Sequence, residues 1–328
     1  MWYEFSPDLT SCTNDKYAFH YFAKTTSVTE KIIIDPAAWG FLDLASTKII
    51  SNSDIHNTFM NYIGAGYNAD MDYLERNVDK RMDPSLMVDE AQTVISFLAP
   101  YGKARQGVAG FAQGEDYHTA VRRRLHSVEE FLSDKARELG LPEYKGRCFV
   151  DSAPVLERFW AARAGLGFIG RNGFLISPSF GLRTIIGEII CNIPVEFFEP
   201  HPPLRVTSCG DCGRCKEACP TSALLWREDG TSLVDARKCI SYHTIESKDK
   251  TGSVPVDCHG WIFGCEECLK ACPWNKDVPS WAELEKNAGF LVNLTREKWL
   301  EMDQDTFDSH FSDSGLKRAG LEKIKSNL

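Results

Sequence analysis

Across residues 117–139 the apolar positions Val121, Leu125, Val128, Leu132, Ala136 and Leu139 recur every three or four residues. That period predicts one long amphipathic helix, closed by Gly140 and Pro142. Residues 93–100 are instead a short apolar run stopped by a proline, the pattern of a buried strand. A second strand is predicted over 147–151. It leads through Ser152-Ala153-Pro154 into a helix over 155–164 that ends at Gly165, since proline suits the first turn of a helix. Glycines 165, 167, 170 and 173 then punctuate a turn-rich passage, and strands follow over 174–176 and 182–191. Upstream, residues 54–67 fit a helix stopping at Gly64 or Gly66, whereas 17–34 mix aromatic and β-branched residues without a clean period. The economical summary of residues 1–203 is a helix-bearing sheet, hence an α+β fold with α/β character. His201-Pro202-Pro203 reads as a linker. A cysteine-rich module over 204–280 and a mostly polar helical tail over 281–328 complete the predicted organisation.

Composition narrows the function classes. The chain of 328 residues carries 37 Lys and Arg against 46 Asp and Glu, a net charge of −9 that excludes a generally polybasic nucleic-acid binder but leaves room for a local basic patch. Hydrophobic residues at 43% and charged residues at 25% exclude wholesale disorder. No run reaches the roughly 18 apolar residues of a membrane helix. The most apolar stretch, 174–198, is interrupted by Arg183, Glu188 and Pro194. With Glu4 and Asp8 at the start, no signal-peptide pattern is visible, so a cytoplasmic monomer without membrane contact is expected.

Cysteine placement changes the picture most. Of 12 cysteines, Cys12, Cys148 and Cys191 are scattered and read as buried thiols in or near strands, while the other nine crowd between Cys209 and Cys272. In a reducing compartment such crowding favours metal over disulfides. Cys209-Gly-Asp-Cys212-Gly-Arg-Cys215-Lys-Glu-Ala-Cys219-Pro220 is a bacterial ferredoxin run, and Cys265-Glu-Glu-Cys268-Leu-Lys-Ala-Cys272-Pro273 is a shorter copy. In such runs the tightly spaced cysteines wrap one cube and the cysteine before proline reaches the other. One 4Fe–4S cluster is therefore assigned Cys209, Cys212, Cys215 and Cys272. The other takes Cys219, Cys265, Cys268 and a fourth ligand, for which Cys239 is chosen over Cys258. Two zinc sites are the competing reading, but zinc has no need of a four-cysteine run ending in proline. Adjacent clusters move single electrons. A free-standing electron carrier would not need 200 preceding residues, which are expected to hold the centre that receives them.

Outside the cysteines, the chain resembles the epoxyqueuosine reductases of tRNA modification. The resemblance is carried by Met71-Asp-Tyr-Leu-Glu-Arg76, Arg81-Met-Asp-Pro84, Gly114-Glu-Asp-Tyr-His118, Val150-Asp-Ser-Ala-Pro154 and Ala161-Ala-Arg-Ala-Gly-Leu-Gly-Phe-Ile-Gly-Arg-Asn172. Gly187-Glu188, Cys239-Ile-Ser-Tyr and Trp261-Ile-Phe-Gly-Cys265 extend it to about residue 275. The resemblance implies a cobalamin-binding fold related to reductive dehalogenase cores, two 4Fe–4S clusters, and reduction of epoxyqueuosine to queuosine at the wobble position of tRNA. It also matches Cys239 to the isolated ligand of the second cluster, and implies an external electron donor of flavodoxin or ferredoxin type. Many members carry a helical-repeat domain after the clusters, for which this chain ends too early, and the first 60 residues match poorly. A reductive dehalogenase shares both cofactor types, but its respiratory versions carry a twin-arginine signal that this N-terminus lacks.

By that resemblance Asp151 is the proton donor. Opening an epoxide leaves an alkoxide whose departure as water needs acid, so Asp151 is expected to have a pKa raised far above about 3.9 by burial. The bland alternative is a cap on the helix after Pro154. Arg81, Tyr117, His118, Asp151, Gly165, Gly167, Gly170, Asn172 and Ser241 are the cobalamin candidates; glycines let backbone approach a large ring, although a sharp turn explains them without a cofactor. Arg158, Arg171, Arg183, Lys317 and Arg318 are the tRNA candidates, whereas Arg122-Arg-Arg124 fits a solvated helix face equally well.

Overall fold

The computed structural model describes residues 30–50, 53–227, 232–248 and 256–328. Cys12 and most of the 17–34 stretch lie outside the described residues. The centre is a four-stranded sheet in the order β1-β2-β6-β3, made of β1 (Asp43–Lys48), β2 (Thr93–Pro100), β3 (Gly146–Phe149) and β6 (Thr184–Cys191). Every pairing is antiparallel, so the α+β description holds in its strict sense. A small hairpin of β4 (Phe168–Ile169) and β5 (Leu175–Ile176) stands beside it.

Why β2 is apolar at every position follows from what covers it. Ile95, Phe97 and Ala99 share a core with Val121, Leu125, Val128 and Leu132 of the long helix, while Val94 and Leu98 face the opposite side. Both faces of β2 are thus buried, and alternation disappears. Among the described residues four α-helices precede the cysteine module: α1 (Ser53–Gly64), α2 (Val78–Met82), the long α3 (Tyr117–Glu138) and α4 (Glu157–Ala164). Close approach of α3 requires Gly187 in β6, where an added Cβ would lie 2.7 Å from Val121 and 3.0 Å from Leu125. Helix α4 begins two residues later than the sequence predicts. Tight turns from Ser152 to Val150 and from Val155 to Ala153 occupy the chain around Pro154, and Leu156 becomes the N-cap. Its end at Gly165 is as expected, with that residue at a φ of 101°.

The cysteine module contributes α5 (Arg214–Ala218), the hairpin β7 (Leu224–Trp226) and β8 (Ser232–Val234), and α6 (Glu267–Lys270). It does not form a separate core. Leu269 packs with the α3 side of the sheet, and Cys215 and Cys239 pack with Trp160 and Phe149. Cys268 touches both groups.

The final segment is helical, as expected of the mostly polar tail, but it carries a core of its own. Helices α7 (Ala288–Leu291), α8 (Arg296–Glu301), α9 (Gln304–Phe311), α10 (Gly315–Ala319) and α11 (Leu321–Ser326) enclose a third core. Trp299, Phe307 and Phe311 are fully buried there with Val108 and Phe263. Short helices hide such a core from sequence reading, because each contributes only one or two apolar residues. Among the described residues no helix is long and apolar enough to cross a membrane.

Candidate functional site

One cavity of about 620 Å³ opens where the start of α3, the end of β3, the edge of β6 and residue Ser241 of the cysteine module converge. Its floor is apolar, including Leu175, Leu182, Ile185, Ile186 and Phe263. Its polar lining holds Arg81, Tyr117, His118, Asp151, Arg158, Ser241 and Arg318 from the sequence-derived candidates, with Arg76 beside them. Four guanidinium groups thus share this cavity with four carboxyl groups, those of Asp116, Asp151, Glu157 and Glu246.

Asp151 follows β3 at a φ of 53°, in the left-handed region that an aspartate rarely adopts. This turn aims the carboxylate into the cavity, where it accepts a hydrogen bond from the Tyr117 hydroxyl at 2.7 Å and from His118 Nε2 at 3.3 Å. It caps no helix. The N-cap of α4 is Leu156, and the Asp151 backbone N–H donates to Glu157 Oε1. The cap of α3 is Asp116, whose Oδ1 accepts from the His118 backbone at 2.8 Å and from His118 Nδ1 at 2.7 Å. His118 thus stands between two carboxylates on the first turn of the longest helix.

These contacts fix the resting protons. Burial opposes charge on His118, but Asp116 and Asp151 outweigh it and raise the imidazole to about 9. Burial likewise opposes charge on Asp151, yet the hydrogen bonds from His118 and Tyr117 hold this carboxyl below its ordinary range. The raised Asp151 is expected from burial against a corrin; with these neighbours alone the proton rests on the adjacent imidazolium. Glu157, which sequence reasoning passed over, is pushed up to about 8 by burial and then by the charge of Asp151. A second carboxylate six residues after the first, in the first turn of the next helix, was the available signal. Glu188 is also buried and held protonated, first by burial and then by Glu157, with Ser96 donating to it at 3.1 Å.

Four candidates stand away from the cavity. Gly165 ends α4, and an added Cβ on Gly167 would lie 2.3 Å from the Ile176 carbonyl oxygen, which accounts for both glycines without a cofactor. Gly170 packs on Ile176 at the hairpin, and Asn172 lies among cysteines. Among the arginines, Arg183 is buried, 3.5 Å from Glu266 and from Asp277, and cannot meet a macromolecule. Arg171 lies over the Trp226 ring at 4.4 Å, beside the cysteine module. Arg158 donates to the Gly173 carbonyl at 2.8 Å on the cavity wall, Arg318 pairs with Glu246 at 2.8 Å, and Lys317 is exposed. Of the arginine triplet, Arg123 pairs with Glu115 and Arg124 with Glu283, as a helix face would.

The cysteines fall into two groups. Cys209, Cys212, Cys215 and Cys272 surround one small void. Cys219, Cys239 and Cys265 interact with one another and with Cys268, which also feels Cys215. Burial and then neighbouring sulfurs raise Cys215 to about 11, and burial raises Cys239 to about 11 and Cys265 to about 12. Thiols packed together and raised in this way lose their protons most readily around strongly cationic centres. Backbone amides are already aimed at them, from Ser241 and Tyr242 to Cys239 and from Trp274 and Asn275 to Cys272. Cys258 stands apart in a separate cleft beside His259 and Leu328. Cys148 and Cys191 are buried in β3 and β6, and burial lifts Cys191 to about 12.

A family model described as "4Fe-4S double cluster binding domain" matches residues 208–275, and one described as "Epoxyqueuosine reductase QueG, DUF1730" matches 81–152. The epoxyqueuosine reductase of Cyclobacterium marinum is 38% identical over 282 residues, covering 82% of this chain and 85% of that protein. That of Pseudomonas aeruginosa is 33% identical, covering 81% of this chain and 74% of its own length. Among solved structures, an epoxyqueuosine reductase with an epoxyqueuosine-modified tRNA-Tyr stem loop superimposes at a TM-score of 0.73 and 23% identity. It covers 89% of this chain and 77% of that one. The Streptococcus thermophilus enzyme gives 0.72 at 24% identity with the same coverage.

Proposed function

This chain belongs to the epoxyqueuosine reductase family, and from that premise we propose that it is the oxidoreductase that converts epoxyqueuosine in tRNA to queuosine, using cobalamin and two 4Fe–4S clusters. The observation that carries the reading is the Asp116–His118–Asp151 chain opening into a cavity whose wall includes Ser241, two residues from Cys239. Acid and electrons meet there.

Reducing an epoxide to an alkene consumes two electrons and two protons and releases the oxygen as water. A cobalamin held in the cavity would supply the two electrons as a low-valent cobalt centre. The residues fit such a group: the apolar lining of Leu175, Leu182, Ile185, Ile186 and Phe263 suits a corrin face, while Arg81, which is buried and donates to the Tyr73 carbonyl at 3.0 Å, and Ser241 suit its polar periphery. Cys209, Cys212, Cys215 and Cys272 hold one cluster, and Cys219, Cys239, Cys265 and Cys268 the other. Because the Ser241 N–H donates to Cys239 and the same residue lines the cavity, the second set is the inner station of the electron path.

Proton delivery belongs to this chain's own side chains. His118 passes its proton to Asp151, and the carboxyl so formed donates it to the departing oxygen, with Asp116 stabilising the imidazolium; the second proton of the released water reaches the oxygen through the same carboxyl. Tyr117 fixes the carboxylate. Arg158 and Arg318 of the cavity lining, with the exposed Lys317 next in sequence to Arg318, attract the phosphates of the anticodon arm, which gives binding that weakens as salt rises. The test is anaerobic turnover of a stem loop bearing epoxyqueuosine, followed by nucleoside analysis and an ultraviolet–visible spectrum of the protein. Queuosine formation with corrin and iron–sulfur absorption is expected. Protein containing both cofactors but leaving the epoxide intact overturns the reading.

A further inference from the structure

Asn172 is 1% exposed, and its two amide atoms have different fates. Oδ1 accepts from the Phe174 backbone N–H at 3.3 Å, which orients the group. Nδ2 has no hydrogen-bond partner among the described residues. A buried donor without an acceptor is uncommon in native proteins, and each calls for an explanation. The void that Asn172 lines is the one bounded by Cys209, Cys212, Cys215 and Cys272. Around that void the backbone makes similar gestures: the Arg171 N–H points at the Cys209 sulfur, and those of Trp274 and Asn275 point at Cys272. Space for the amide depends on Gly170, where an added Cβ would lie 3.0 Å from Asn172 Oδ1 and 2.4 Å from the Ile176 side chain.

We propose that the Asn172 side-chain amide donates an N–H···S hydrogen bond to the cluster held by Cys209, Cys212, Cys215 and Cys272, raising its reduction potential above the value set by the cysteines and backbone alone. The inference rests on the cluster reading given above. Its physical basis is charge: a one-electron reduction makes the cluster more negative, so a donor aimed at sulfur stabilises the reduced form more than the oxidised one. Asn172 is then a positioning residue for electrons, acting on the set farther from the cavity, where an external donor's electron arrives before passing inward.

Two variants separate this role from scaffolding. Asn172→Leu removes the donor at similar volume, and Asn172→Asp keeps the acceptor for Phe174 while replacing N–H with a negative oxygen. Each is purified anaerobically as holoenzyme, its iron and sulfide are counted, and its reduction is followed by electron paramagnetic resonance at controlled potentials. Wild type with about eight iron and eight sulfide per chain satisfies the cluster premise, and zinc without sulfide overturns that premise separately. With iron retained, one reduction step is expected to move to lower potential while the other stays. A tenfold fall in the reduced-to-oxidised ratio at fixed potential corresponds to about 59 mV for one electron, with Asp shifted further than Leu. Both steps unmoved in a fully loaded variant overturn the proposal. Loss of about half the iron in both variants also overturns it, since Asn172 would then be holding the chain in place.

Discussion

Replacing His118 by Gln tests the proton path directly. Glutamine can still donate a hydrogen bond toward Asp151 but carries no titratable proton. With a pKa of about 9, His118 is about 97% protonated at pH 7.5, against about 9% for an imidazole at its ordinary 6.5. The wild-type rate of the chemical step should therefore stay level through neutral pH. Because the acid form is the active one, the rate is retained below the folded pKa and falls about tenfold per unit above about pH 9. Glu157, facing the same carboxylate, holds its proton to about 8 and adds an earlier inflection if it feeds Asp151. His118→Gln should slow the step about 10²–10⁴-fold at pH 7.5, the usual worth of a positioned acid, and should erase the limb near 9. Single-turnover assays from pH 6 to 10, with pre-reduced enzyme and saturating stem loop, read both quantities. A variant within about threefold of wild type, or one that keeps the limb near 9, would refute the relay from His118.

Asp151→Asn should keep both clusters, because the residue's hydrogen-bond and ion-pair partners among the described residues are Tyr117, His118 and Glu157 rather than cysteines, while queuosine formation drops by a similar 10²–10⁴-fold in single turnover. It should also lower the His118 pKa, because one of the two flanking charges is lost, an effect visible by NMR titration of the imidazole. Cys258→Ser should retain about eight iron per chain, whereas Cys239→Ser should lose iron from the inner set, both read by metal and sulfide analysis. Gly187→Ala should cost about 1–3 kcal/mol by pressing on Val121 and Leu125, measured as a lower unfolding midpoint in anaerobic denaturant titration. Arg318→Glu should weaken stem-loop binding and flatten its salt dependence in fluorescence anisotropy at several ionic strengths.

Elements with a strong local period were legible without coordinates. The apolar spacing from Val121 to Ala136 yields α3, and the run ending at Pro100 yields β2, because both patterns reflect burial along a continuous face. The ferredoxin spacing likewise separates the cysteines into two sets. What could not be read was everything decided by distant segments. The glycines near 165–170 look equally suited to a ring or a turn, and only their closeness to Ile176 and His201 decides between them. Asp151 lies 33 residues beyond His118 in sequence, so its low pKa is invisible until the folded chain brings the imidazolium alongside. The C-terminal helices hide their core because Trp299, Phe307 and Phe311 are separated by exposed residues whose period is too short to register.

Cys268 packs against both main cores, and its sulfur neighbours come from segments far apart in sequence. Iron at these positions would act as a rivet through the middle of the molecule. Oxidative loss of the inner cluster would then do more than silence electron flow: it would leave a group of desolvated thiols where two hydrophobic layers meet. Such a chain should be a better protease substrate than the loaded one, so the amount of this protein in a cell would track iron supply after translation, with no need for a transcriptional sensor.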